Sequence, residues 1–298
     1  MISNIPRFTS NMLQNTHVGV SLGVHSLREA EIFLSIAYAY RLPILLKLPL
    51  LEKNELQRWA QYLELYMEQQ SIVAGLSLAP STRLDDLEQG IQAGCKLVSF
   101  DIREKTPDLA VKETQYIVNL AHQKNVAVEV LLGDFHDQEW YSPLRSSFDI
   151  EEFVHKTYCD MGGFFAQGQS SQFRYRGKDQ INMDFLEQIH NRIDKPLTLY
   201  GSLYGAKYLS EQYKQDLSSL YHHITGISEH ALMKVGEKGV DYIHIEEDLQ
   251  YLVDVSIRHT LRKYDIIYHE HLDQELAEVS REFFAYAYKL VQKHYELS

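Results

Sequence analysis

The stretch Leu76–Gly133 decides the fold, and it reads LSLAPSTRLDDLEQGIQAGCKLVSFDIREKTPDLAVKETQYIVNLAHQKNVAVEVLLG. Short apolar runs with the length of buried strands alternate in it with longer segments whose apolar residues recur at helical spacing. The predicted strands are Leu76–Leu78, Leu97–Ile102 and Val126–Leu132, and the predicted helices are Arg83–Ala93 and Asp108–His122. Gly94 follows the first helix, where a left-handed C-cap favours glycine. This alternation predicts parallel strands joined by crossover helices.

The composition indicates one globular domain, residues 1–298. A chain of 298 residues with 45% apolar content can bury a sizeable core. Lys and Arg number 29 against 41 Asp and Glu, so the formal net charge is −12, which argues against nucleic acid or an anionic membrane as a partner. Two cysteines provide no disulfide framework, and the N-terminus lacks a signal pattern. We therefore expect a cytoplasmic protein.

Several segments resemble the class II (metal-dependent) ketose-bisphosphate aldolases. LDDLEQGIQAGCKLVSFD is similar to the family segment that runs from behind its HLDH motif through its GF-x-SVMID strand, and LAHQKNVAVEVLLG is similar to AH-x-x-G-V-x-VEAELG. Further along, FVHKTYCD resembles FV-x-x-TG-x-D, and KPLTLYG resembles PLVLHGG. The resemblance implies a (β/α)8 TIM barrel. A helical insertion near residues 203–224 departs from the family pattern, and it is expected to cover or fill the pocket, to offer a partner surface, or to be a neutral surface insertion.

The resemblance also implies that the family's zinc site is degenerate. The HLDH motif falls on Ser77–Pro80, so Ala79 stands at the position of the catalytic acid and Pro80 at that of a metal ligand. The histidine of the G-x-x-HG strand falls on Ser170 or the residue after it, and that of PLVLHGG falls on Tyr200. Alanine and proline offer a cation no side-chain donor. We therefore expect no metal cofactor.

Substrate phosphate in this family is held by backbone N–H groups of two loops. Thr225 and Gly226 match part of the first loop. The second loop falls on the segment 244–248, where three carboxylates would repel a phosphate. A bisphosphate substrate is therefore disfavoured. The loop after the predicted strand Gly162–Phe165 carries Ser170 and Arg174 in a cationic stretch that could bind an anion or form ordinary ion pairs. The candidate ligand-binding residues are therefore Ser170, Arg174, Thr225 and Gly226.

Four residues are candidates for catalysis. Lys47, near the C-terminal end of a strand, could form a Schiff base if desolvated, or it could snorkel to solvent. Where the family has two glutamates only Glu129 remains, as a base or ligand, and it could act with Tyr200 as proton donor and His244 as acid–base group. The alternative is that His244 is an ordinary barrel histidine. His269 and His271 are expected in a surface connection before the last helix.

Two functions follow from these observations. The first is a diverged, catalytically inactive class II aldolase-like protein that acts by binding a small metabolite or a protein partner, such as an active aldolase paralogue. The second is a lyase that cleaves a sugar phosphate with relocated metal or lysine catalysis. The family's ordinary zinc-dependent aldolase reaction is disfavoured, because its set of metal ligands is absent. The aromatic segment Leu272–His294 is compatible with a homodimer.

Overall fold

The computed structural model describes residues 19–39, 44–72, 74–136, 139–166, 181–201, 229–245 and 247–292. The predicted ligand-binding residues Ser170, Arg174, Thr225 and Gly226 lie outside these ranges, as does the predicted insertion near 203–224. None of the helices in the described ranges combines the length and the apolar character needed to cross a bilayer.

Eight parallel strands close into a barrel. The strands, including one outside the barrel, are Gly19–Gly23 (β1), Ile44–Leu48 (β2), Ala74–Leu78 (β3), Leu97–Asp101 (β4), Ala127–His136 (β5), Glu139–Tyr141 (β6), Met161–Phe165 (β7), Leu197–Tyr200 (β8) and Tyr242–Ile245 (β9). Around the wall the order is β4-β3-β2-β1-β9-β8-β7-β5, and a β4–β5 pairing completes the circle.

Helices connect the parallel strands. They are Leu27–Ala39 (α1), Lys53–Gln70 (α2), Leu84–Ala93 (α3), Pro107–Gln123 (α4), Ser147–Thr157 (α5), Met183–Arg192 (α6), Glu229–Glu237 (α7), Glu247–Lys263 (α8) and His269–Gln292 (α9). The predicted (β/α)8 barrel is confirmed. Gly94 caps α3 with a φ of 99°, as its position predicted.

The structure differs from the sequence-based expectations at two places. The strand predicted over Val126–Leu132 does not end there, because β5 continues to His136 and forms a hairpin with the antiparallel strand β6. Phe135 and Trp140 face each other across this hairpin with ring centroids 5.0 Å apart, and such an aromatic pair stabilises antiparallel strands. His269 and His271 are in the first turn of α9, where the His271 ring stacks on Tyr264 at 4.0 Å.

The barrel interior has an apolar layer and, nearer the carboxyl ends of the strands, a polar layer. One buried apolar cluster comprises Leu45, Leu97, Ala127, Met161 and Tyr242. Residues two apart on a strand face the same side of the sheet. Two positions further along four of these strands the interior residues are polar and buried: Lys47, Ser99, Glu129 and His244. The polar layer thus lies nearer the carboxyl ends of the strands, where barrel proteins place functional residues.

Candidate functional site

Lys47 extends from β2 into the centre of the polar layer. Its side chain is 2% exposed, so it does not snorkel to solvent. The ammonium Nζ donates to Ser99 Oγ at 2.7 Å, to Glu129 Oε2 at 2.7 Å and to the hydroxyl of Tyr200. An ammonium has three N–H donors, and each therefore has an oxygen acceptor from a different strand.

Glu129, on β5, contacts the Lys47 ammonium through one of its two carboxylate oxygens. Its Oε2 accepts hydrogen bonds from Lys47 Nζ, from Ser99 Oγ at 2.5 Å and from the Tyr200 hydroxyl at 2.5 Å. Its Oε1 is buried and has no hydrogen-bond partner among the described residues. Burial alone would raise the pKa of Glu129, but the Lys47 ammonium and the three hydrogen bonds lower this pKa to about 2. The carboxylate is therefore ionised at neutral pH and is a very weak base.

Tyr200 and His244 stand side by side on the neighbouring strands β8 and β9. Their ring centroids are 4.7 Å apart. His244 Nδ1 lies 3.0 Å from Ser21 Oγ, and the Tyr200 ring also contacts Phe165 at a centroid distance of 5.0 Å. The structure thus brings all four sequence-predicted residues together: Lys47, Glu129 and Tyr200 by hydrogen bonds, and His244 by ring contact.

The sequence reasoning missed Ser99 and Ser21 as partners in this cluster. Ser99 occupies the inward position two residues after Leu97, so alternation along β4 was the signal that could have found it. Ser21 pairs in register with His244 on the adjoining strands β1 and β9. The sequence around a lone serine in an apolar strand does not indicate its hydrogen-bond partner, because that partner, His244, lies more than 200 positions away.

A second missed cluster lies at the mouth of the barrel. The guanidinium of Arg103 donates two hydrogen bonds to the carboxylate of Asp101, at 2.7 and 3.0 Å, and one to Asp134 at 3.2 Å. Its guanidinium also lies over the ring of Phe165, 4.2 Å from the centroid. Two carboxylates thus neutralise this half-buried arginine, which leaves little positive potential there for an anionic ligand.

The residues at the centre do not fit a divalent cation. Among the described residues at the centre the carboxylate is that of Glu129, which already binds the ammonium of Lys47 through Oε2. A divalent ion about 4 Å from an ammonium would be repelled by about 8 kcal/mol at an effective dielectric constant of about 20. Tyr200 stands where the resemblance places a histidine, and Pro80 offers no donor. In the described ranges, no three His, Cys, Asp or Glu side chains converge as a group able to hold a metal.

The chemistry available to the cluster follows from these bonds. Glu129 is a weak base, and each N–H of the Lys47 ammonium has an acceptor within the cluster. Tyr200 donates its proton to Glu129 and is engaged as well. Together these hydrogen bonds hold the Lys47–Glu129 ion pair inside the barrel.

Comparisons with known proteins agree with this architecture. The fructose-bisphosphate aldolase from Helicobacter pylori is 22% identical over 138 residues, which cover 44% of this chain and 45% of that protein. The match thus spans less than half the length of that relative. Among solved structures, the YdjI aldolase from Escherichia coli K12 superposes with a TM-score of 0.74 at 15% identity, covering 98% of this chain and 97% of the other. For the Campylobacter jejuni fructose-bisphosphate aldolase the TM-score is 0.71 at 10% identity, with 97% and 94% covered. Because the model of class II fructose-bisphosphate aldolase matches residues 13–296, the chain belongs to the class II fructose-bisphosphate aldolase family.

Proposed function

We propose that this family member has lost zinc-dependent cleavage of ketose bisphosphates and acts by binding a small metabolite or a protein partner. One observation carries the proposal: the ammonium of Lys47 lies 2.7 Å from Glu129 Oε2, the one carboxylate that remains where the family has two glutamates. A carboxylate engaged in this way serves neither as a metal ligand nor as a base.

Retro-aldol cleavage also needs a group that takes the proton of the substrate hydroxyl, and that returns it as an acid in the condensation direction, and an electrophile that stabilises the developing negative charge. Ala79 stands at the position of the family's acid, and its described contact there is a backbone hydrogen bond from its N–H to Leu48 O at 2.8 Å. This loss is independent of the metal, so adding zinc should not restore cleavage.

The test is a coupled assay for cleavage of fructose and tagatose bisphosphates, with and without added Zn²⁺, beside an active class II aldolase as positive control. We expect no cleavage above that of a heat-inactivated sample. Zinc-dependent turnover that is abolished by Glu129→Gln would contradict the proposal.

The binding role needs its own measurement. An active class II aldolase from the same source is the first partner to try, because family members share one barrel architecture. Size-exclusion chromatography of the two proteins, alone and mixed, would show a joint peak, and the kcat and KM of the active enzyme would change on mixing. The same column would report whether this chain alone is a homodimer, which we expect from its aromatic C-terminal helix.

A second candidate is a lyase that uses Lys47 rather than a metal. This candidate is favoured by the hydroxyls of Ser99 and Tyr200, which accept hydrogen bonds from Lys47 Nζ and could relay a proton. In such a reaction the neutral amine of Lys47 condenses with a substrate carbonyl to an imine, and water leaves. Borohydride in the presence of dihydroxyacetone phosphate would reduce that imine to a stable secondary amine. Peptide mass spectrometry that finds the adduct on Lys47 would favour this candidate, and an unmodified Lys47 would favour the first.

A further inference from the structure

We propose that the Lys47 ammonium is the resident cation of the barrel centre, a covalently attached substitute for a bound metal ion. The proposal concerns what holds the centre together, and it does not depend on which molecule the protein binds. It explains why a layer of buried polar side chains persists in a barrel whose family ligand positions hold proline and tyrosine.

The coordination of Nζ resembles that of a bound cation. Three oxygens surround it, from Ser99 on β4, Glu129 on β5 and Tyr200 on β8, while the lysine itself comes from β2. One of the three is an anionic carboxylate, so the charges of the centre balance at +1 and −1. The cation thus ties together four strands that are spread around the wall.

The hydrogen bonds of the Glu129 carboxylate are centred on the same ammonium. All three donors that reach it act on Oε2, and Oε1 receives none from the described residues. The carboxylate is therefore oriented so that Oε2 accepts from the Lys47 ammonium and from the hydroxyls of Ser99 and Tyr200. These two hydroxyls also accept hydrogen bonds from the ammonium. A metal ion on Oε2 would have to displace Lys47, whose side chain is 2% exposed and whose described acceptors are the three oxygens of this cluster.

The first experiment measures cation binding directly. Tag-free protein is titrated with Co²⁺ and Zn²⁺, followed by the visible absorption of cobalt and by Tm, and Glu129→Gln is titrated in parallel. We expect Glu129→Gln to start from a lower Tm, but metal should change the absorption and the Tm of wild type and Glu129→Gln by the same amounts, because any ion bound elsewhere is insensitive to Glu129. One equivalent of metal that raises the Tm of wild type and is lost in Glu129→Gln would overturn the proposal.

The second experiment removes the ammonium of Lys47 together with the methylene groups that attach it to the chain. Lys47→Ala deletes a propylammonium-sized group, so we expect Tm to fall by roughly 5–10 °C and to recover progressively when n-propylammonium chloride is added. 1-Propanol has similar size without charge and should not restore Tm. Equal recovery with 1-propanol, or a Tm of Lys47→Ala equal to that of wild type, would show that the charge has no such role.

A matched pair of variants covers the case in which Lys47→Ala does not fold. Lys47→Met leaves Glu129 buried without its cation, whereas Lys47→Met combined with Glu129→Gln removes both charges at nearly constant shape. We expect the double variant to have the higher Tm of the two. Lys238→Met is the control, because Lys238 forms an equally short pair with Glu187, 2.6 Å, at the surface. A double variant no more stable than Lys47→Met would contradict the proposal.

Discussion

Lys47 and Glu129 form an ion pair of 2.7 Å through the barrel interior, although 82 residues separate them and two strands lie between theirs in the wall. Both side chains are almost fully buried, at 2% and 1% exposure. Bulk solvent therefore screens the pair little, and removing either partner leaves an uncompensated charge in the core. The pair makes the stability of this barrel depend on pH in a defined direction.

We predict that acid weakens the fold through Glu129. Burial opposes the shift, but the Lys47 ammonium and the hydrogen bonds lower the pKa of Glu129 from 4.5 to about 2. A carboxyl group whose pKa is lower in the folded chain stabilises that state above pH about 4.5, and the contribution is lost as pH falls toward 2. Between about pH 5 and about pH 3 this loss is about 2 kcal/mol, measurable as the change in the free energy of unfolding in urea.

The double variant Lys47→Met/Glu129→Gln is the reference for that measurement, because every other titrating group remains in it. The wild type should lose about 2 kcal/mol more than this variant over the same pH interval. Parallel pH profiles for the two proteins would mean that Glu129 does not titrate with a lowered pKa.

Tyr200→Phe should destabilise the protein by about 1.5–3 kcal/mol, the range for a hydrogen bond to a charged group. The substitution removes the 2.5 Å hydrogen bond to Glu129 Oε2 and one acceptor of Lys47 while keeping the ring. Tyr62→Phe is the matched control, because Tyr62 also donates to a carboxylate, that of Glu31, but is exposed. We expect less than about 0.5 kcal/mol for the control. Equal effects in urea unfolding would show that burial adds nothing to the Tyr200 bond.

The sequence could predict the barrel but only part of its centre. Strand and helix periods are local, so the alternation in Leu76–Gly133 sufficed for the parallel strands. Lys47 was recognised as a strand-end lysine, yet its burial depends on acceptors from β4, β5 and β8, which no local pattern reveals. The hairpin of β5 and β6 was missed because its sequence is polar, and the Phe135–Trp140 contact that stabilises it forms only after the chain turns back.

Gly163→Ala should destabilise the barrel centre by about 1–3 kcal/mol, because it forces extra volume into a packed interior. A Cβ at this position would lie 2.6 Å from Leu131 Cδ2, 3.1 Å from the Tyr200 ring and 3.2 Å from Glu129 Oε1. Gly94→Ala is the contrast, because its nearest neighbour would be 3.9 Å away and only its φ of +99° opposes a side chain. The two variants separate crowding from backbone strain. Only Gly163→Ala should also change the acid dependence attributed to Glu129, and an unchanged pH profile would argue against contact with Oε1.

The last prediction concerns the packing of the C-terminal helix α9 against α8. Glu275 on α9 is buried, and it accepts from Lys263 Nζ at 2.5 Å and from His259 Nδ1 at 2.7 Å, both on α8. Burial would raise the pKa of Glu275, but the hydrogen bonds from Lys263 and His259 lower it. Glu275→Gln removes the charge at similar shape, and we expect a loss of about 1.5–3 kcal/mol, with faster amide hydrogen exchange concentrated in α9. Glu270→Gln, an exposed glutamate in the first turn of the same helix, controls for the charge change. If exchange in α9 rises equally in both variants, the net charge of the helix and not the contact to α8 is responsible.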